Sequence, residues 1–192
     1  MGAMLTVLCG LALRMLSLEE SWSEASYDHL LRFGARSVTN HVAIILMDDE
    51  AFDELKQTRG QPWDRSLHAK LLNQLADDGC PLVVLDAFFR LPGKPEVDST
   101  LIAAMTRLSN VVLAAEQAKV ELKGIVSARP VLPFENFLTA ARTNWGVAWF
   151  DADQDLIVRR HWPFPSPGPY TDLPSLAAKL VLSAILSSRS HT

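Results

Sequence analysis

The sequence lacks most of the features that mark a catalytic, redox or nucleic-acid-binding protein. It has only two cysteines, Cys9 and Cys80, and neither has the spacing of a zinc site or a CxxC redox pair. Eighteen basic against twenty-two acidic side chains give a formal charge of -4, so no positive field would attract a phosphate backbone. Internal repeats, GxSxG and HExxH motifs and a phosphate-binding glycine loop are also missing. These absences argue against nucleic acid as a partner and against the common hydrolase classes.

A hydrophobic run long enough to cross a bilayer is missing as well. The apolar run AMLTVLCGLAL covers residues 3–13 and ends before Arg14, whereas a membrane-spanning helix needs about 20 apolar residues. We interpret residues 1–18 as a truncated transmembrane helix or a signal-like segment. A helix buried against the domain is the alternative. The domain itself is then expected at residues 19–187, with a tail at 188–192.

Buried strands and amphipathic helices alternate in the middle of the chain. VAIILM at 42–47, PLVVLD at 81–86 and NVVLAAEQ at 110–117 are too short for helices and too continuously apolar for half-exposed strands. The apolar spacing of SLHAKLLNQLADDG at 66–79 predicts a helix with Ser66 as N-cap and Gly79 as stop, and Asp98 is predicted to cap a second helix. This alternation is the signature of parallel βαβ units.

The remaining elements complete an α/β fold. A helix is predicted at 22–36 and a short one at 51–57, and NWGVAWFDADQDLIVRRHWPF at 144–164 predicts a hairpin that turns at DADQD. Pro174 is predicted to open the last helix. The expected architecture is a central mixed, largely parallel sheet with helices on both faces, an N-terminal membrane-proximal helix, and a C-terminal hairpin plus helix.

An acid follows each of the three predicted strands. Asp48, Asp86 and Glu116 would share the carboxyl edge of the sheet, where open α/β folds bind ligands. Two charges at ~5 Å on neighbouring strands repel by about 3 kcal/mol at an effective dielectric of ~20. A divalent cation, a protonated acid or a nearby arginine would relieve this repulsion, and Arg65 and Arg159 are the candidate counter-charges. Capping of a helix or bracing of a loop is the alternative role of such acids.

The stretches IILMDDE and LVVLDAFFRLPG resemble the acidic pair and the phospho-acceptor of two-component receiver domains. That resemblance implies that Asp48 and Asp49 hold magnesium and that Asp86 accepts a phosphoryl group. Receivers place another strand between these motifs, whereas this chain has a tryptophan-containing loop and one helix there. Ala114 and Ala115 also stand where a hydroxyl residue is expected. The receiver is therefore the minority interpretation.

A second resemblance covers roughly residues 25–182. YDHLLRF, VAIILMDDEAF, QPWDRSLHAKLLNQL, GCPLVVLDAFFR, NVVLAAEQ, WGVAWFDADQDLIVRR and PSLAAKL occur in the order of the second class of CHASE domains. The resemblance implies an extracytoplasmic sensory module of bacterial adenylate cyclases, histidine kinases or serine/threonine kinases, with an N-terminal transmembrane helix and a separate cytoplasmic output domain. This chain departs from the family at Asp64, where proline is common, and at Asp155-Leu156, where Asp-Gly is common.

The motif positions provide the candidate ligand-binding residues, and no catalytic residue, metal or cofactor is predicted. Trp63 offers a broad amphipathic surface or packs its loop closed, and Arg65 binds a carboxylate or phosphate or pairs with Asp86. His68 is predicted to be exposed or hydrogen-bonded locally, with pH sensing as a lesser role, and Arg159 is predicted to form a salt bridge. The full set is Asp48, Asp49, Trp63, Arg65, His68, Asp86 and Arg159.

The leading expectation is a non-enzymatic sensor of a small molecule or an envelope condition. It would be anchored in the membrane through its N-terminal helix, would face the periplasm or the cell exterior, and would form a homodimer through its terminal helices. The alternative is a metal-dependent phosphoryl-transfer or receiver-like domain that uses Asp48, Asp49 and Asp86.

Overall fold

The chain forms two compact units. One, the N-terminal unit, comprises Met1–Leu46 and Ala152–Arg160, and the other, the sheet unit, comprises Met47–Asp151 and His161–Thr192. The structure is a computed structural model. It describes residues 2–15, 18–34, 42–122, 125–150, 152–153, 155–159, 161, 163 and 173–189.

Two helices make up most of the described N-terminal unit. Helix α1 is Gly2–Met15 and helix α2 is Leu18–Phe33, which confirms the helix predicted from residue 22 onward. Residues 35 and 36, the end of that prediction, lie outside the described residues. Among the described residues, no helix combines the length and the apolar character that a bilayer crossing requires.

The first predicted strand, at 42–47, is not present. The segment carries no strand assignment, and its side chains are exposed, with Ile44 at 81%. A β-branched apolar run specifies a strand only when a neighbouring strand accepts its backbone hydrogen bonds, and that partner is not encoded in the run itself. The prediction of a buried strand here is therefore wrong.

A four-stranded mixed sheet forms the centre of the sheet unit. Its strands are β1 Val83–Leu85, β2 Val111–Leu122, β3 Ile125–Val131 and β4 Trp145–Val147. Strand β2 pairs in parallel with β1 and with β4, and antiparallel with β3. The mixed α/β sheet is confirmed. Strand β2 runs six residues beyond Glu116, so Glu116 lies within a strand and not at its end as predicted.

The described part of the sheet unit also contains five helices. They are α3 Asp49–Glu54, α4 Arg65–Asp77, α5 Pro95–Leu108, α6 Glu135–Ala140 and α7 Leu176–Arg189. The N-cap of α4 is Asp64, whose carboxylate accepts a hydrogen bond from the Ser66 amide at 2.9 Å, so the predicted Ser66 cap is wrong. The predicted stop is confirmed, because Gly79 has a φ of 70°, which glycine adopts without steric cost.

Both faces of the sheet are covered by helices. Val111 and Leu113 face a core cluster that includes Leu72 of α4, Leu101 and Met105 of α5, and Phe137 of α6. Side chains alternate along a strand, so the buried Val112 and Ala114 point to the opposite face, where α7 packs against β2 and β4. Helices on both faces were predicted, and the sheet unit confirms them.

The predicted C-terminal hairpin is only partly present. The Leu156 amide donates to the Asp153 carbonyl at 2.9 Å and the Asp153 amide to the Ile157 carbonyl at 3.0 Å, so a tight turn forms in the DADQD stretch. Strand β4, however, is three residues long and pairs with β2, and no described residue between 148 and 163 belongs to a strand. The hairpin of the sheet is instead β2–β3.

Candidate functional site

A partly buried arginine pairs with one acid where α4 and α5 meet. Arg65, the first residue of α4, donates to Asp98 Oδ1 at 2.6 Å and to the Leu91 carbonyl at 2.6 Å. The two side chains of the ion pair are only 19% and 10% exposed. The predicted pairing of Arg65 with Asp86 is wrong, because the packing of α4 against α5 presents Asp98 to the guanidinium instead. We call Arg65, Asp98, Leu91, Gly93 and Phe89 the Arg65 centre.

Gly93 is required by the close approach of this ion pair. Its amide donates to Asp98 Oδ2 at 2.6 Å, so both oxygens of the carboxylate are engaged. A Cβ at Gly93 would lie 2.7 Å from Arg65 Nη1 and 3.1 Å from Asp98 Oδ1. The predicted N-cap role of Asp98 is wrong, since α5 begins at Pro95 and Asp98 reaches back from inside its first turn.

Aromatic rings surround the Arg65 guanidinium. Its Cζ lies 5.8 Å from the Phe89 ring centroid and 5.1 Å from that of Phe137, within the range of cation–π attraction. The Phe89 carbonyl accepts a hydrogen bond from the Phe134 amide at 2.7 Å. The loop that follows β1 is therefore attached to α4, α5 and the start of α6 through three of its backbone groups, which bind Arg65, Asp98 and the Phe134 amide.

His68 lies beside this centre and is buried, at 7% exposure. Its Nδ1 is 3.3 Å from the Asp64 carbonyl, its Nε2 is buried without a partner among the described residues, and its ring meets Phe89 edge-on at 5.4 Å. Burial lowers the pKa of His68, and the positive charge of Arg65 acts in the same direction, against the hydrogen bond to Asp64. Local hydrogen bonding is confirmed, and the predicted exposure of His68 is wrong.

A second arginine centre lies in the N-terminal unit. The Arg159 side chain is 2% exposed and binds Asp28, Asp153 and Asp155, which together with it form the Arg159 centre. Its Nε and Nη2 contact the two oxygens of Asp28 at 2.7 and 3.0 Å, and Nη1 and Nη2 contact those of Asp155 at 2.9 and 2.7 Å. The predicted salt bridge of Arg159 is confirmed.

The electrostatics of the Arg159 centre follow from three carboxylates around one guanidinium. Hydrogen bonds from Arg159 lower the pKa of Asp155 to about 2 and hold the pKa of Asp28 below its ordinary value. The carboxylates in turn raise the pKa of Arg159. Each of these shifts favours the charged form of its group, so Asp28, Asp155 and Arg159 are ionised throughout the physiological pH range.

The turn that carries Asp155 includes a position where the sequence resemblance leads one to expect glycine. Leu156 has a φ of 66°, a left-handed conformation that favours glycine. The Ile157 amide donates to Asp155 Oδ1 at 3.1 Å, so the carboxylate braces the turn while it binds Arg159. The position where the family often has Asp-Gly is thus a left-handed turn, which Leu156 adopts at some steric cost.

The remaining predicted site residues lie apart from these centres. Asp48 caps α3 by accepting from the Ala51 amide at 2.9 Å, which confirms the capping alternative. Asp49 is paired with Arg59 at 3.0 Å on the surface. Trp63 packs its ring edge-on against Phe52, with centroids 5.6 Å apart, as expected for a tryptophan that closes its loop.

The acids after the second and third predicted strands differ in their surroundings. Asp86 is exposed, and no ion pair involves it among the described residues. Glu116 is paired with Arg90 at 2.6 Å. Neutralisation by arginine, predicted for this edge, is therefore found at Glu116, with a different arginine from the two that were expected.

The described residues contain one group of acids close enough to share a cation, and it is not the predicted one. Glu24, Asp153 and Asp155 place donor atoms within 4.8 Å of one another. Asp153 and Asp155 already bind the Arg159 guanidinium. Asp48, Asp49 and Asp86 form no such group within the described part of the chain.

For several residues of these centres, the sequence gives no local sign of the partner that they bind. Asp98 was recognised, but its partner lies 33 residues earlier, and Asp28 lies 131 residues from Arg159. The glycine of LPGKP, between a predicted strand and a predicted helix, was the one local sign of a close approach. Phe89 and Phe137 read simply as core residues.

Comparisons with known proteins place the chain in a family. No curated protein and no solved structure matches it. The family model of the CHASE2 domain matches residues 3–191, which is nearly the entire sequence. CHASE2 domains are extracytoplasmic sensory domains. The chain belongs to the CHASE2 domain family.

Proposed function

We propose that this chain is the non-enzymatic sensory part of a bacterial transmembrane signalling protein, held outside the cytoplasm and detecting a small molecule or a condition of the envelope. The observation that carries the proposal is the CHASE2 match over residues 3–191. The acidic residues support it, because two of the three that would carry metal or phosphoryl chemistry, Asp48 and Asp49, have other partners. Asp48 caps a helix, and Asp49 is paired with Arg59.

The terminal helices are the proposed route of the signal. Helix α2 is tied to the segment 152–160 through the Asp28–Arg159 pair, and this segment follows β4 closely in the chain. A change in the conformation of the 153–157 turn would therefore act directly on α2.

Helix α7 is held tightly against β4. A Cβ at Gly146 of β4 would lie 2.7 Å from Leu176 Cα and 2.8 Å from the Ser175 carbonyl oxygen. The Val147 amide donates to the Pro174 carbonyl at 3.0 Å, and the Asn144 and Ser183 side chains exchange hydrogen bonds at 3.3 Å. A displacement of β4 would thus be passed to α7, since backbone atoms at such distances leave no free space.

The N-terminal segment supports membrane attachment. Helix α1 is apolar except near its end, and Met4, Leu5, Val7 and Leu11 are all exposed. A helix that is hydrophobic all round is expected in a membrane or within a protein. We propose that residues 1–18 anchor the domain, with the remainder facing the periplasm or the cell exterior.

Ligand contact and dimerisation complete the proposal. Asp49, Trp63 and Asp86 keep surface that a small molecule could contact, whereas Arg65, His68 and Arg159 would act on a ligand only after their present contacts open.

Helix α7 exposes Val181, Leu182, Ile185 and Leu186. We propose that the terminal helices form a homodimer, and sedimentation with and without residues 1–36 tests this.

The location of the domain is tested by a reporter fusion at residue 100. A reporter that is active only outside the cytoplasm should be active there, and one that is active only inside should be silent. The opposite pattern would reject the proposal.

Calorimetry with magnesium, calcium and manganese tests the enzymatic alternative, and so does incubation with small phosphodonors. Binding at Asp48, Asp49 and Asp86, or phosphorylation of Asp86, would favour that alternative.

A further inference from the structure

A buried titratable group beside the Arg65 centre has no role in the function proposed above. His68 is 7% exposed, and its Nε2 is shielded from solvent with no hydrogen-bond partner among the described residues. Its Nδ1 faces the Asp64 carbonyl, which can only accept a hydrogen bond, so Nδ1 carries the proton of the neutral ring. Nε2 is then an acceptor without a donor. A proton bound there would create a cation inside the protein.

The groups around His68 compensate that cation only in part, through the carbonyl and the negative charge of Asp64. On α4, Arg65 is itself positive, and the Asp64 carboxylate is bound to the Ser66 amide. From the loop after β1, Phe89 presents its ring. On α5, the oxygens of Asp98 are bound to Arg65 and to the Gly93 amide. On α6, Phe137 contributes an uncharged ring to the same aromatic cluster. A protonated imidazole would therefore need solvent.

The Phe89 ring packs edge-on against the His68 imidazole at 5.4 Å, so we expect a movement of Phe89 to open a path for solvent to Nε2. Phe89 lies in residues 86–93, which we call the latch segment. Three backbone groups hold this segment: the Phe89 carbonyl on the Phe134 amide, the Leu91 carbonyl on Arg65, and the Gly93 amide on Asp98. Each bond ties the segment to a different element of the sheet unit, so a movement of Phe89 strains all three.

We propose that protonation of His68 releases the latch segment from α4, α5 and α6, so that the sheet unit contains a proton-sensitive switch. The proposal deepens the sensory function by naming the proton as one signal, and it rests on that function for its biological meaning, because an extracytoplasmic domain meets the external pH directly. The switch itself is a property of the isolated chain.

The direction of the pH effect follows from proton linkage. Burial lowers the pKa of His68 below its ordinary value of 6.5, so the closed form binds protons less well than the open form. The open population is smallest well above that value and rises as the pH falls through it. At about pH 5 the open population can be at most roughly 30-fold larger than at high pH. Each pH unit below the pKa of His68 in the open form contributes a factor of about ten.

Amide hydrogen exchange on the full chain tests the switch. The Gly93 and Phe134 amides report directly, because both hydrogen bonds break when the latch segment leaves. The Leu113 amide of β2, bound to the Asn144 carbonyl at 3.0 Å, is the internal control. After correction for intrinsic exchange, Gly93 and Phe134 should exchange up to roughly 30-fold faster at about pH 5 than at about pH 7.5, and Leu113 should not change. Equal rates at the two pH values would overturn the proposal.

Two substitutions identify the titrating group. His68→Phe keeps a ring against Phe89 and cannot be protonated, and His68→Asn keeps a donor for the Asp64 carbonyl. Either variant should make the corrected exchange of Gly93 independent of pH, so a folding failure of one leaves the other as the test. His29→Asn, which removes an exposed histidine of α2, is the matched control and should behave as the parent. A pH response that persists in the folded His68 variants would reject His68 as the switch.

The outcomes separate this inference from the proposed function. A flat exchange profile together with an extracytoplasmic reporter would remove the proton switch and leave the sensory proposal intact. A clear His68-dependent profile together with a cytoplasmic reporter would retain the switch and remove the extracytoplasmic role.

Discussion

The two arginine centres satisfy a buried guanidinium in opposite ways. Arg65 has one carboxylate, one carbonyl and two aromatic faces, so its positive charge is balanced by a single partner. Arg159 has three carboxylates, so negative charge is in excess around it. The first centre joins helices and a loop within the sheet unit, and the second joins α2 to a turn within the N-terminal unit. The stability of the Arg65 centre therefore depends on each individual hydrogen bond. The stability of the Arg159 centre depends on the balance of charge among its four side chains.

The largest expected effect on stability is at the Arg65 centre. Arg65→Met should leave the Asp98 carboxylate buried without its counter-charge, and this should lower the free energy of unfolding by about 3–5 kcal/mol. Urea denaturation followed by circular dichroism measures it. Arg129→Met, at an exposed arginine of β3, is the matched control, with an expected change within about 0.5 kcal/mol. Equal losses in the two variants would show that the Arg65 pair does not stabilise the fold.

The next effect is steric. Gly93→Ala places a methyl group 2.7 Å from Arg65 Nη1, so the ion pair must shift, at an expected loss of about 1–3 kcal/mol. The same substitution in the Arg65→Met background should be much milder, because the clashing nitrogen is gone. Denaturation of the four proteins gives both values. An undiminished loss in the second background would assign the effect to the backbone of Gly93 and not to Arg65.

At the Arg159 centre, the expected effect of a substitution is a change in the pKa of Asp155. Asp155 has a pKa of about 2 in the folded chain against an ordinary 3.8, so its stabilisation is present above about pH 4 and is lost as the pH falls toward 2. Arg159→Gln should raise the pKa of Asp155 to 3.8 or above, since two other carboxylates remain nearby. Carboxyl NMR titration measures it. Arg159→Lys keeps the charge without the fork and should give an intermediate value. An Asp155 pKa that stays at about 2 in Arg159→Gln would contradict the assignment.

The smallest effect is expected at an exposed arginine. Arg59 pairs with Asp49 and Asp53, and all three side chains are largely in solvent. Arg59→Ala should lower the free energy of unfolding only slightly, because ion pairs in solvent contribute little to stability. Most of that difference should vanish at about 1 M salt, where the screening length is ~3 Å. A loss as large as that of Arg65→Met would mean that burial is not what separates the two arginines.

The sequence predicts those elements of the fold that local patterns specify. Helices α2, α4 and α7 and strand β1 follow from apolar spacing together with glycine and proline punctuation. The strand at 42–47 was mispredicted, and only the turn of the C-terminal hairpin is found among the described residues, because a strand exists only with a partner whose position is not written in the strand's own residues. The continuation of β2 past Glu116 has the same origin, since pairing with β3 extends it.

The candidate site shows the same limit. The sequence offers Arg65 and Arg159 as counter-charges for the acids that follow the predicted strands, but among the described residues only Glu116 of those acids is paired with an arginine, and that arginine is Arg90. It does not predict the partners, because Asp98 meets Arg65 through the packing of α4 on α5, and Asp28 lies 131 residues from Arg159. His68 was predicted to be exposed or hydrogen-bonded locally, and the sequence did not reveal its burial, since one histidine near a helix start gives no sign of the aromatic ring packed against it.

The central claim is that the chain's own guanidinium groups hold its buried acids, and a double-mutant cycle of Arg65 and Asp98 tests it most directly. Unfolding free energies of the parent, Arg65→Met, Asp98→Asn and the double variant give the coupling energy between the two side chains. Because the pair is mostly buried and in direct contact, we expect a coupling of about 2–3 kcal/mol. A coupling below about 0.5 kcal/mol would mean that the two side chains act independently and would contradict the account.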